Sequence, residues 1–402
     1  FRSNFGGRIV SVMVPDKDGQ MRDVVLGFDS IQDYVSKPSD FGASIGRYAN
    51  RINQGRFTLD GTEYQLPQNN YGHCLHGGPQ GFQYRVFDAV QPNPQELELT
   101  YTAEDGEEGF PGNITCKVLM KLTDDNAIDI RYEAETDKPT IVNMTNHSYF
   151  NLDGDAARNE AHLLTIDADY YTPVDSTFMT TGEIAPVEGT PMDFRTPTPV
   201  GARINDYDFV QLKNGNGYDH NWVLNTKGDI TRKCATLESP LTGIVLDVYT
   251  NEPGIQVYAG NFLDGSLTGK KGITYNQRAS VCLETQKEGA VSGTFVRAKG
   301  LCQFKVMISN DGVGPETVGY DALVPGRYFI NGQEVVARVL LLMHGFLQGS
   351  VGVVWILAAV CAAVDRQHTG AKQQLCINGT SSFHLRQYVG RSEEHTSELQ
   401  SH

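Results

Sequence analysis

No disulfide framework is visible in this sequence. Its seven cysteines, at positions 74, 116, 234, 282, 302, 361 and 376, are odd in number and share no recurring spacing, so they read as reduced thiols that pack as small hydrophobes. An excess of positive charge is missing as well. There are 33 Lys+Arg against 48 Asp+Glu, a net charge of −15, which argues against a nucleic-acid backbone or an anionic membrane surface as partner. Nor does any long segment keep a 3.6-residue apolar period; "DSIQDYV" suits one or two helical turns. No secretory leader is visible, and the chain starts "FRSNFGG" without an initiator methionine. A cytoplasmic location is the expectation, with a periplasmic or exported one left open by a clipped N-terminus.

Period-two alternation is what the sequence does have, up to about residue 286. "ELELTYTA" puts Leu97, Leu99, Tyr101 and Ala103 on one face, and "AIDIRYEAE" does the same for Ile128, Ile130, Tyr132 and Ala134. Turn formers separate such segments: "TDDN" lies between "CKVLMKL" and "AIDIRYEAE", and "DKDGQMR" between "IVSVMVP" and "DVVLGF", so both predict hairpins. With 18 Tyr, 18 Phe and 42 Gly among 402 residues, the composition suits strands joined by tight turns. The expected fold class is all-β, a large antiparallel β-sandwich.

The charge is unevenly distributed. Residues 1–286 carry 23 Lys+Arg against 39 Asp+Glu, a net −16, whereas residues 287–402 carry 10 against 9, a net +1. A step of this kind marks a boundary, and the expectation is a domain over 1–286 followed by an unrelated tail over 287–402. The tail holds an apolar run, residues 339–364, long enough to be a membrane-span candidate but interrupted by His344, Gln348 and three glycines. Its last twelve residues, "RSEEHTSELQSH", resemble the conceptual translation of a sequencing-library adapter. The tail is therefore expected to be a frameshifted or chimeric segment, and the apolar run is not taken as a membrane anchor.

Four polar clusters interrupt the strand pattern. "GRYANRI" offers Asn50 and Arg51, "GHCLHGG" offers His73 and His76, "TNHSYFNLDG" offers His147, and "GYDHNW" offers Asp219 and His220. Gln256 in "GIQVYAGNF" and Glu284 in "VCLETQ" sit in strand-like settings. Amide, guanidinium and carboxylate groups grip sugar hydroxyls through directional donors and acceptors, while a histidine beside a carboxylate can move protons both ways. Taken singly, each has a plainer role: a turn residue for Asp219, a surface ion pair for Arg51, a buried-carbonyl partner for His147, an outward-facing strand position for Glu284. The H-x-x-H spacing of His73 and His76 hints at metal, but without a helix or further close ligands no metal site is expected.

Taken together and in order, "FGASIGRYANRI", "LHGGPQGF", "NMTNHSYFNLDG", "GYDHNWVL", "GIQVYAGNFLDG" and "CLETQ" resemble the motifs of the aldose 1-epimerases, or galactose mutarotases, over about residues 6–286. The resemblance implies a galactose-mutarotase-like supersandwich with a sugar cleft on one sheet face. It also implies roles: His147 as general acid on the ring oxygen, Glu284 as general base on the anomeric hydroxyl, His76 as an assistant near both, and Asn50, Arg51, Asp219 and Gln256 as binders of the sugar. The implied reaction interconverts the α and β anomers of free glucose or galactose by opening and closing the ring, and it requires no cofactor. A monosaccharide is the expected partner and a monomer the expected state. Two other readings stay open: a non-catalytic carbohydrate-binding module on the same fold, and an epimerase of phosphorylated hexoses, for which only Arg51 is an evident basic candidate. After Gln286 the resemblance stops, and the family's proline-rich segment and closing strands are expected to be missing, which would expose sheet edges.

Overall fold

The computed structural model describes residues 2–154 and 159–287, together with the backbone of strands at 294–296, 299–309, 327–330, 333–336, 374–378 and 382–387. Two antiparallel sheets organise the first of its two compact units, Phe1–Pro315. The larger has nine strands in the spatial order Asp88–Asn93, Glu96–Ala103, Ile114–Leu122, Ala127–Thr136, Lys299–Ser309, Val245–Thr250, Lys233–Glu238, Leu163–Ile166 and Thr198–Pro199. The smaller has six, in the order Tyr149–Phe150, Val281–Gln286, Gly254–Tyr258, Asp219–Val223, Tyr170–Thr172 and Ala185–Pro186. The molecule is all-β, as the alternation predicts.

The physical cause is the two-residue period of a strand, which sends successive side chains to opposite faces. Leu99 and Ala103 are fully buried, Leu97 and Tyr101 pack against the same core, and Ile130, Tyr132 and Ala134 join them from the neighbouring strand. From the six-stranded sheet, Trp222, Ile255, Val257, Val281 and Leu283 enter this one core. Each large apolar side chain removed from water in this way contributes about 1.5–3 kcal/mol. Both expected hairpins form, with Leu122 opposite Ile128 and Pro15 opposite Met21. "DSIQDYV" makes a helix at Ile31–Ser36, its start capped by Ser30, whose hydroxyl accepts the Asp33 backbone N–H.

Past residue 286 the chain continues into the larger sheet. Lys299–Ser309 runs between Ala127–Thr136 and Val245–Thr250, pairing with both, and Thr294–Val296 pairs with Thr140–Val142. The compact unit thus extends to Pro315, beyond the composition step at 286. The second unit, Glu316–His402, contains two hairpins, Arg327–Ile330 with Gln333–Val336 and Gln374–Asn378 with Ser382–Gln387. The apolar run 339–364 and the adapter-like residues 391–402 lie outside the described residues. Among the described residues no helix is long and apolar enough to cross a membrane.

Candidate active site

Strand parity also builds the other face of the six-stranded sheet. Ile255 and Val257 point into the core, so Gln256 between them points away; Val281 and Leu283 do the same, so Glu284 points away beside it. Gln256 stands directly opposite Glu284 across the strand pair, and Asn221 stands opposite Gln256 on its other side. His220 and Trp222 occupy the reverse parity. His220 is therefore behind the sheet, fully buried, accepting the Asp219 backbone N–H through Nδ1 at 3.1 Å, and burial pushes its pKa down to about 3.

Short strand pairs bring the remaining motifs to this face. Arg51–Ile52 pairs with Cys74–Leu75, which sets the "ANRI" and "HCLHGG" segments side by side. There the Asn50 backbone N–H donates to His76 Nδ1 at 3.1 Å, and the His76 N–H returns a bond to the Asn50 carbonyl at 3.0 Å. Both residues hold positive φ, 62° for Asn50 and 53° for His76, conformations uncommon outside glycine. Gly77 follows at φ 80°, and a Cβ there would come within 2.0 Å of the Gly46 carbonyl oxygen, so only glycine lets the loop close under His76. Thr145–His147 pairs with Ala43–Ile45, and Tyr149–Phe150 pairs with Val281–Gln286, which carries His147 to Glu284.

The result is one cleft of about 280 Å³, lined by Asn50, Arg51, His76, His147, Asp219, Gln256 and Glu284 together with Asp40, Asn70, Tyr71, Leu75, Tyr149, Tyr258 and Phe262. Seven of the nine residues singled out from the sequence lie on it, the seven to which the resemblance gives roles. His73 does not; its ring accepts the Gln54 backbone N–H and meets the Thr177 hydroxyl, holding a loop.

At the centre, His147 Nε2 is 3.4 Å from Glu284 Oε1, with only 6% and 2% of the two side chains exposed. The His147 ring stacks on Tyr149 at 4.9 Å between centroids and meets His76 edge-on at 5.3 Å. Burial sets the charge balance. It raises Glu284 well above the usual carboxylate range, helped by the negative charges of Asp219 and Asp40 and opposed by Arg51. It lowers His147, against the pull of Asp40, and lowers His76 well below the ordinary imidazole value. Asp219 is raised by burial despite Arg51 and the 2.7 Å bond from the Gln256 amide.

The polar groups on and beside this wall are held in place. Arg51 Nε donates to the Asn70 side-chain oxygen Oδ1 at 3.1 Å while its guanidinium lies 5.0 Å from the Phe178 ring centre. Gln286 donates to Asn221 at 3.2 Å and reaches Gln256 at 3.4 Å, and Asn50 reaches Gln286 at 3.5 Å. Fixed amides and one guanidinium suit a neutral polyhydroxylated ligand. Tyr258 on the cleft and Gln286 beside it, absent from the sequence expectation, were reachable by counting two residues on from Gln256 and Glu284. Nothing local in the sequence marks Asp40.

Among the described residues, two sets of donors lie near enough to hold a cation, Asp40–His76–His147 and His147–Cys282–Glu284, each with donor atoms within 4.8 Å of one another. His76 spends Nδ1 on accepting the Asn50 N–H, so its Nε2 keeps the hydrogen and serves as a donor. That tautomer fits a hydroxyl or ring oxygen better than a metal ion.

The family model described as Aldose 1-epimerase matches residues 2–288. Galactose mutarotase of Mus musculus is 44% identical over 288 residues, covering 70% of this chain and 80% of its own length; that of Homo sapiens is 44% identical over 289 residues with the same coverage. Aldose 1-epimerase of Escherichia coli is 41% identical over 264 residues, 65% of this chain and 75% of that protein. Among solved structures, an aldose epimerase homologue from C. elegans has a TM-score of 0.69 at 31% identity, covering 76% of this chain and 94% of the other. The galactose 1-epimerase from Lactobacillus acidophilus has a TM-score of 0.67 at 30% identity, covering 76% and 89%.

Proposed function

We infer from its cleft that this chain, which belongs to the aldose 1-epimerase family, interconverts the α and β anomers of free aldohexoses with His147 and Glu284 as its proton-transfer pair. The carrying observation is the placement of one imidazole and one carboxylate 3.4 Å apart, both nearly out of water, on a wall of hydroxyl-gripping groups. An anomeric carbon bears two oxygens, and each needs a different partner. Glu284 takes the proton from the C1 hydroxyl while His147 gives one to the ring oxygen; the C1–O5 bond breaks and the aldehyde forms. Rotation about C1–C2 presents the other carbonyl face, and closure returns both protons. Nothing is oxidised and no outside group is transferred, so the cleft's work is positioning and proton movement. His76, through its Nε2 hydrogen, supports the developing charge near the ring oxygen, and Asn50, Arg51, Asp219 and Gln256 hold the hydroxyls.

Glucose and galactose are the substrates this reading favours, since the cleft offers neutral-sugar contacts and Arg51, already bound to Asn70, is the one guanidinium lining it. We assign the catalytic residues to 1–286, with a monomer as the working unit and a cytoplasmic setting as the expectation. The test is polarimetry on freshly dissolved α-D-glucose and α-D-galactose. The expected result is acceleration over the spontaneous rate that His147→Ala abolishes; equal rates for the two proteins would remove His147 from the chemistry.

A further inference from the structure

His73 stands out in the sequence by its H-x-x-H spacing, yet it is off the cleft and the proton-transfer chemistry gives it no part. Three segments meet at it. Its ring Nδ1 accepts the Gln54 backbone N–H at 3.0 Å, so the neutral ring carries its hydrogen on Nε2 and donates it to the Thr177 hydroxyl at 2.9 Å. Thr177 in turn donates to Asp175 Oδ1 at 2.6 Å, and that oxygen also accepts the backbone N–H groups of Thr177 and Met179 at 2.7 and 3.1 Å, which makes the turn rigid. The backbone of His73 closes the other loop: its N–H donates to the Asn70 carbonyl at 2.8 Å, and its carbonyl accepts the N–H groups of Asn69 and Asn70 at 3.0 and 3.1 Å.

All three segments converge on Arg51, which lines the cleft. Gln54 follows it by three positions, Asn70 accepts its Nε hydrogen at 3.1 Å, and the turn after Asp175 presents Phe178, held at φ 64°, with its ring centre 5.0 Å from the guanidinium carbon and 5.2 Å from the Tyr71 ring. A guanidinium gripped on one side by an amide and on the other by an aromatic face keeps its fork in one plane only while both walls stay put. We propose that His73 is a positioning residue for Arg51: by tying the Asn70 loop and the Thr177 turn to the segment that carries Arg51, it holds the guanidinium in the orientation that binds the sugar. This proposal rests on the mutarotase reading and on Arg51 as one of its sugar binders. The tie needs the neutral ring, because an imidazolium has no acceptor for the Gln54 N–H. Burial lowers the His73 pKa, with Asp175 opposing and Arg51 adding to the fall, which favours that form.

The experiment measures kcat and KM for α-D-galactose by polarimetry in the full chain and in three variants. His73→Asn keeps an acceptor for the Gln54 N–H but cannot reach Thr177, and Thr177→Val removes the same link from its other end without touching His73. Each is expected to raise KM by about two- to tenfold, the worth of one neutral hydrogen bond, with kcat and its pH limbs changing far less. Their double variant should be no worse than either alone, because the two substitutions cut one link. In an Arg51→Lys background, which keeps the charge but not the planar fork, His73→Asn should leave KM where Arg51→Lys has put it. Wild-type KM in both His73→Asn and Thr177→Val overturns the proposal, as does a fall in kcat without a rise in KM, or a KM effect that persists in full beside Arg51→Lys. If His73→Asn does not fold, Thr177→Val alone and beside Arg51→Lys decides the matter by the same criteria. A wild-type chain that leaves the spontaneous rate unchanged would instead sink the mutarotase reading, and the proposal with it.

Discussion

Glu284 and His147 each lack water, and each would rather be neutral than carry a lone charge. The form of the pair that opens the ring has Glu284 ionised and His147 protonated, which fixes the pH dependence. As pH falls through a raised Glu284 pKa the base is lost, so the acid limb of kcat/KM is expected above the ordinary carboxylate range. As pH rises through a lowered His147 pKa the acid is lost, so the alkaline limb is expected at or below the ordinary imidazole value, giving a narrow bell in a polarimetric pH series. Glu284→Gln keeps the shape but not the basicity; kcat is expected to drop by about 10²–10⁴ with KM changing far less, and the acid limb should vanish from the residual rate. A variant with wild-type kcat would show that another group takes the C1 proton.

At the scale of elements, the site depends on two small devices. One is the alternation of Gly254–Tyr258 and Val281–Gln286, which divides core from cleft residue by residue. Truncating the core member of the pattern, Ile255→Ala, is expected to lower unfolding free energy by about 2–5 kcal/mol in a denaturant titration. The other device is the positive-φ loop that presents His76. Gly77→Ala would drive a methyl against the Gly46 carbonyl and displace the ring. The expected outcome is a lower melting temperature together with a reduced kcat/KM; retention of both would mean that the loop relaxes without moving His76. The motif letters "LHGG" carry this requirement openly, because a glycine pair after a functional side chain signals a backbone that L-residues avoid.

For the whole molecule, the larger sheet is closed in its middle by Lys299–Ser309, whose backbone satisfies strands on both flanks. A chain ended after Lys287 would leave the Ala127–Thr136 and Val245–Thr250 edges open to pairing with other chains, and it is expected to aggregate on expression. A chain ended after Pro315 keeps the central strand and is expected to melt cooperatively. Buried neutral histidine couples the same fold to pH. His220 has its pKa depressed to about 3, whereas an unfolded histidine titrates near 6.5, so the unfolded chain binds a proton that the fold refuses. The stability this contributes is complete above pH 6.5 and declines as pH falls from there toward 3. His220→Gln should remove one proton from that dependence, measured as a shallower fall of the denaturation midpoint with pH.

Strand identity, the two hairpins, one short helix and seven of the fourteen cleft-lining residues were legible in the sequence, because period-two patterning and ordered motifs are properties of the chain itself. Which of two neighbours faces the cleft was not, since alternation assigns opposite faces without saying which is concave; Asp219 and His220 part company only once Trp222 is seen in the core. The 3.4 Å contact of His147 and Glu284, 137 positions apart, arises when the Tyr149–Phe150 strand pairs with Val281–Gln286. The charge state of that pair follows from desolvation, which only the closed fold imposes. The sequence by itself determined the strands and the chemistry to be placed on them, and the tertiary structure decided which groups lose water together.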